Sequence, residues 1–182
     1  MDVDLNDAFH WAFGRGFWYA DPLAELKGLS EEQLYWSPAP DIQCVLWHVG
    51  HIGHRECFHI QCMLKGRDEK EEFLDKWGIF FDCPYEAVRF RDTFPEPGEI
   101  TDWMRSVRAR SHEFICELTS ADYNLVPRSS FEGGSIARVL MMTVGHTGLH
   151  IGRIQLLRRL MRQPPAIHPN ASHGAAEASR KR

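Results

Sequence analysis

The stretch from Ser135 to Met161, SIARVLMMTVGHTGLHIGRIQLLRRLM, constrains the fold more than any other part of the chain. At 3.6 residues per turn, Ile136, Val139, Thr143, His146, His150, Ile154, Leu157 and Met161 fall within one arc of a helix. Two histidines therefore stand in the stripe that should face a core, where an imidazole without a partner is costly. His146 and His150 are an i, i+4 pair, the spacing at which two side chains share one helical face and can share one small ion. Such a pair leaves a metal one or two protein ligands short, so a partner is expected elsewhere in the chain.

Four helices are expected in all. Leu5 to about Lys27 shows apolar residues at helical spacing, with a break near Asp21-Pro22. Ser30 and Gln33 offer a capping box for a short turn, and Trp36-Ser-Pro-Ala-Pro40 cannot be helical throughout. The second helix is expected from Ile42, capped by Asp41, to Leu64, where Lys65-Gly66 supplies a stop. It has two apolar arcs, one through Ile42, Val45, Val49, Ile52, Ile60 and Met63 and another through Cys44, Trp47, His51, Phe58 and Cys62. Both arcs read as buried, one within a bundle and the other lining a site or a subunit contact. A long connection follows over residues 66–97, which in a compact domain is functional or crosses a bundle from end to end. The third helix is expected to begin after Pro97-Gly98, with a cap near Thr101, and to reach about Leu118, and the fourth starts at an N-cap, Ser135, and stops at Pro164-Pro165. With no convincing strand pattern, the expected fold is all-α, a four-helix bundle over residues 1–162 with a long crossover between helices 2 and 3. Residues 163–182 read as a disordered polar tail.

Composition narrows the function classes. The 182 residues with 43% apolar content are enough for one domain with a real core. A net charge of −4 and a pI near 6.2 give no electrostatic footprint for nucleic acid or an anionic membrane surface. No apolar run approaches the ~20 residues of a membrane span, and the acidic N-terminus is unlike a signal peptide. Five cysteines without a C-x2-C pair suit reduced, mostly buried thiols, and a cytoplasmic location is expected.

The second helix carries His48, His51, His54 and His59 beside Trp47 and Glu56. Three neutral imidazoles, one from this helix and two from the fourth, would hold a divalent ion with one or more positions open. Cys44 lies roughly 10 Å along the axis from His51, too far to share the ion from one straight helix. His48, His51 and His54 all remain candidates by spacing, although His51 sits among Trp47 and Phe58 on the second apolar arc. His112 reads as a surface histidine.

Leu46-Trp-His-Val-Gly-His51-Ile-Gly-His-Arg-Glu56 resembles the second-helix motif of DinB-like proteins, the DNA-damage-inducible superfamily of four-helix bundles. Val144-Gly-His146-Thr-Gly-Leu-His150-Ile-Gly-Arg-Ile-Gln-Leu-Leu-Arg158 resembles the fourth-helix H-x3-H-x-G-x-I-x3-L-R signature of the same family. The resemblance covers most of residues 1–162 and implies His51, His146 and His150 as ligands of zinc, nickel or iron, with His48 and His54 as neighbours. Arg153 stands where many members have glutamine.

The superfamily includes bacillithiol S-transferases, a mycothiol-dependent maleylpyruvate isomerase and the N-terminal domain of ergothioneine-forming sulfoxide synthases, and the second-helix motif is most similar to the last group. Those synthases also need a larger catalytic domain, so oxidative C–S bond formation is not expected of this chain. What the resemblance implies is a divalent-metal-dependent enzyme acting on a small molecule, a thiol S-transferase or isomerase with a low-molecular-weight thiol as cosubstrate. His48, His54, Glu56 and Arg153 are then the candidate catalytic residues, for proton transfer or anion binding. The alternative is a non-catalytic bundle that holds metal or a small ligand as a sensor, carrier or structural subunit. A homodimer is expected from the second apolar arc and from the family.

Overall fold

The computed structural model describes residues 5–13, 21–66, 72–82, 93–128 and 133–162. Among them the α-helices are α1 (Leu5–Phe13), α2 (Glu31–Tyr35), α3 (Val45–Cys57), α4 (Glu72–Phe81), α5 (Pro97–Cys116) and α6 (Ile136–Leu160), and no strand occurs. The fold is the expected all-α bundle, formed by α1, α3, α5 and α6. No helix among the described residues is long and apolar enough to cross a membrane.

Local chemistry sets most helix starts. Ser30 accepts the N–H of Gln33 at 3.3 Å while the Gln33 side chain accepts the N–H of Ser30 at 2.9 Å, so the capping box that opens α2 is complete. Ser135 accepts the N–H of Arg138 at 3.4 Å and starts α6. Asp21 accepts the N–H of Leu23 at 3.0 Å, a turn that breaks the chain where Pro22 predicts a break.

Other boundaries differ from expectation. The first helix is described over Leu5–Phe13; residues 14–20 lie outside the described set, and among the described residues after them only a 3-10 turn, Ala24–Leu26, precedes α2. The second helix starts at Val45, not Ile42, because Cys44 takes the cap, its sulfur accepting the N–H of Trp47 at 3.4 Å. Ile42 is consequently 42% exposed. From Phe58 to Leu64 this helix widens into a π-helix, closed by Lys65 N–H on the carbonyl of Ile60. The third helix starts at Pro97 with Glu96 as cap, paired with Glu99 in a capping box, and Thr101 instead bonds back to the Pro97 carbonyl. The crossover contains α4, which the aromatic sequence Lys76-Trp-Gly-Ile-Phe-Phe81 does not announce by periodicity alone. The expected tail, residues 163–182, lies outside the described residues.

Residue pairs give the helix directions. Gly53 faces Trp103, Glu56 meets Arg108 and Lys65 lies over Phe114, so α3 and α5 run parallel. The long crossover permits that direction. His48 meets His150 and His59 meets Thr143, so α6 runs antiparallel to α3. The central helix is α3, whose residues from Val45 to His54 are all buried. Two of its glycines allow this crowding. A Cβ on Gly50 would stand 2.1 Å from the Phe81 ring, and one on Gly53 would stand 3.1 Å from Trp103. Phe81, Trp77 and Trp103 stack beside them, with Trp77 and Trp103 centroids 4.9 Å apart.

Candidate metal centre

Helix α6 enters the site with the spacing that the stripe predicts: Thr143, His150, Ile154 and Leu157 are buried, and His146 is half-buried at the edge. Helix α3 faces it with His48 and His51. The structure brings His51, His146 and His150 together, with one ring nitrogen of each lying within 4.8 Å of the others. Nε2 of His51 and Nε2 of His146 are 3.1 Å apart. An ion bonded at about 2.0–2.1 Å to two nitrogens in tetrahedral geometry holds them about 3.3–3.4 Å apart, so the gap is of the right size.

Two of the three rings are oriented by a neighbour outside the cluster. Nδ1 of His51 donates its proton to the backbone carbonyl of Phe81 at 2.6 Å, which leaves Nε2 as the bare nitrogen and aims it at His146. The ring of His51 also stacks on Trp47, with centroids 4.6 Å apart and planes at 15°. Trp47 in turn donates its indole N–H to the carbonyl of Phe80 at 2.9 Å. Two consecutive carbonyls at the end of α4 thus fix the α3 side of the site. On the α6 side, Nδ1 of His150 pairs with Nδ1 of His48 at 2.9 Å. Further along, His59 donates from Nδ1 to the Thr143 hydroxyl at 3.0 Å, and that hydroxyl donates to the Val139 carbonyl at 2.8 Å.

The electrostatics keep these rings neutral. Burial pushes the pKa of His150 down to about 2, with the neighbouring His51, His146, His48 and Arg153 adding to the shift. His146 falls to about 3 for the same principal reason, and His48 to about 3 with Arg153 as the next cause. His51 is lowered by burial, while its bond to Phe81 pulls the other way. A neutral imidazole is the form that carries a lone pair for a metal. The three donors therefore fit a divalent ion in charge state and separation, and His51 fits it in tautomer as well.

The other sequence candidates take different positions. His48 stands beside His150, and His54 points toward Gly78 of α4, with its Nδ1 buried and, among the described residues, without a hydrogen-bond partner. Glu56 is fully buried on the side facing α5, with its Oε2 3.0 Å from Nε of Arg108. Arg153 is exposed and acts on the site through its charge. Reasoning from sequence missed the Phe80 and Phe81 carbonyls, since a backbone acceptor leaves no residue-type signal. It also missed Trp47 as a stacking partner, although its i, i+4 spacing to His51 was available.

A search of curated proteins finds no match to this chain. The model of the DinB superfamily matches residues 19–154, a span that contains α3, α5, the facing histidines and most of α6. With three-quarters of the sequence matched and the histidine cluster lying inside the matched span, the chain belongs to the DinB superfamily.

Proposed function

We propose that this protein is a divalent-metal-dependent enzyme that uses a low-molecular-weight thiol for S-transfer or isomerisation, with His51, His146 and His150 as the ligands of zinc, nickel or iron. The observation that carries the reading is the donor set: among the described residues three imidazoles converge, and no carboxylate or thiol joins them. Three protein ligands leave a position for an exogenous group, whereas a closed structural site takes four. A bound ion would lower the pKa of a thiol placed there and hold it as thiolate. Around that position, Phe81 and His48 orient the ligating rings, Trp47 closes one side, and Arg153 supplies a positive charge for an anionic substrate group. His146, the half-buried member, marks the side from which a small molecule enters.

The test has two arms. Elemental analysis should show one ion per three-histidine site in the wild type and its loss in the His146→Ala/His150→Ala double variant. Metal-loaded protein should then consume a generic electrophile such as monochlorobimane in a thiol-dependent way. Equal metal in both proteins removes the ligand assignment. Retained metal without thiol-dependent turnover leaves a binding bundle, a sensor or carrier, as the better reading.

Self-association as a homodimer belongs to the same proposal. The second apolar arc of α3 is used inside the chain, but Met141, Met142, Leu149 and Leu156 of α6 are 45–61% exposed. A monomeric mass by light scattering at micromolar concentration would remove the dimer. Cys44, Cys57 and Cys62 are buried, in keeping with the reducing, cytoplasmic setting that belongs to the same proposal.

A further inference from the structure

At the opposite end of α5 from Trp103 lies a second group of metal-ligating side chains. His10 of α1 meets His112 and Cys116 of α5, and one ligand atom of each lies within 4.8 Å of the others. Cys116 Sγ is 3.6 Å from Nδ1 of His112 and 4.0 Å from Nδ1 of His10. The imidazole rings of His10 and His112 stand edge to face with centroids 5.8 Å apart. In a tetrahedral zinc site, bonds of about 2.3 Å to sulfur and 2.1 Å to nitrogen separate the two ligand atoms by about 3.6 Å. The His112 to Cys116 distance already has that value, and His10 needs only a small rotation to match it.

The convergence is built by the core beneath it. Phe9 stacks on Tyr123 with centroids 5.4 Å apart, and the Tyr123 hydroxyl donates to the Asn6 side chain at 2.7 Å. Phe9 and Phe13 are both buried, which fixes how α1 is rotated against α5 and leaves His10 turned toward Cys116. His112 and Cys116 are one turn apart near the C-terminus of α5, and Cys116 is its last residue, where the carbonyl end of the helix favours a cation. Level with Lys65 and Phe114 rather than His51, the group lies roughly 20 Å from the three-histidine centre at about 1.5 Å per residue. The two cannot share an ion.

We propose that His10, His112 and Cys116 form a second metal site, selective for a thiophilic divalent ion such as zinc, that pins α1 to the end of α5. As the sulfur–metal bond forms, the Cys116 thiol gives its proton to solvent, and water completes the coordination of the exposed ion. A thiolate among the ligands distinguishes this site from the all-imidazole centre.

Cobalt(II) reports the difference, because only a thiolate ligand gives sulfur-to-cobalt charge transfer in the near ultraviolet. Titration of the full chain with cobalt(II) should produce that band, and Cys116→Ser should abolish it while binding one ion fewer per chain. His112→Gln should weaken the band's apparent affinity by about 10-fold or more. All three positions are exposed or half-buried, and an unchanged helical circular dichroism spectrum will confirm that the variants fold. Absence of the band in the wild type, or its persistence in Cys116→Ser, overturns the proposal. Neither result depends on whether the three-histidine centre holds metal.

Discussion

Nδ1 of His48 lies 2.9 Å from Nδ1 of His150, so two imidazoles with burial-lowered pKa values share one proton. If His48 donated it, His150 would carry its own proton on Nε2 and have no lone pair for an ion. Metal binding through Nε2 therefore fixes His150 as the donor and His48 as the acceptor. His48→Ala should keep the fold and lower metal affinity about 10–100-fold, measured by competition with a chelator. His48→Gln, which retains an acceptor, should recover part of the loss. Unchanged affinity in His48→Ala would show that the pair has no orienting role.

Gly50 and Gly148 make opposite predictions for the same substitution. A Cβ at Gly50 meets the Phe81 ring at 2.1 Å, whereas one at Gly148 meets nothing within 4 Å. Gly50→Ala must push Phe81 and with it the carbonyl that orients His51, so we expect about 1–3 kcal/mol of destabilisation and weaker metal binding. Gly148→Ala relieves a helix-interior glycine and should stabilise by up to about 1 kcal/mol. Urea unfolding of both variants, with metal affinity measured alongside, checks the contrast; a stable Gly50→Ala with normal affinity would contradict it.

The helix-α6 half of the site was legible because a single helix fixes it: the i, i+4 pair and the stripe around it follow from 3.6 residues per turn. Residue spacing left His48, His51 and His54 undecided, since which face of α3 meets α6 is a tertiary matter. The structure shows why the second-helix wheel was ambiguous: α3 is packed on all sides, by α5, α6, α2 and α4. Helix α4 lies in the stretch that the sequence presents only as a long connection, and its Phe80 and Phe81 carbonyls act through backbone atoms common to every residue. The π-helical turn after Cys57 was likewise invisible, because it changes hydrogen-bond partners without changing the apolar pattern. His112 reads as a surface residue in isolation, and only the packing of α1 places His10 beside it.

Acid should unfold the metal-free protein unusually early. His48 and His150 have pKa values near 3 and 2, and His54 and His59 near 4, all below the 6.5 of an unperturbed histidine. The unfolded chain therefore binds protons below pH 6.5 that the folded chain refuses. Stability is fully present above 6.5 and is lost as pH falls toward these folded values, by up to about 1.4 kcal/mol per pH unit for each histidine. The urea midpoint of apoprotein should drop steeply between about pH 7 and pH 5.5. A bound divalent ion should delay the drop by competing with protons for the same nitrogens. A flat midpoint over that range would show that the unfolded chain gains no extra protons there.

Glu56 supplies the converse pH signature. It is fully buried, and burial raises its pKa, while Arg108 and then Ser111 favour the charged form. Its Oε2 is 3.0 Å from Arg108 Nε, whose side chain is 19% exposed. Removing the cation alone leaves a buried carboxylate uncompensated, so Arg108→Leu should cost about 3–5 kcal/mol near neutral pH. The folded pKa of Glu56 would then rise further above its unfolded value of 4.5. Between those two values the folded state holds a proton that the unfolded state has released, so stability falls as pH rises through that window. The difference between Arg108→Leu and wild type should therefore be smaller at about pH 5.5 than at about pH 8, a comparison in which the shared histidine effect cancels. Adding Glu56→Gln to Arg108→Leu should remove the pH dependence of that difference, since an amide has no proton to lose. A loss that is equal at both pH values would mean that Glu56 stays ionised without Arg108, held by other groups around it.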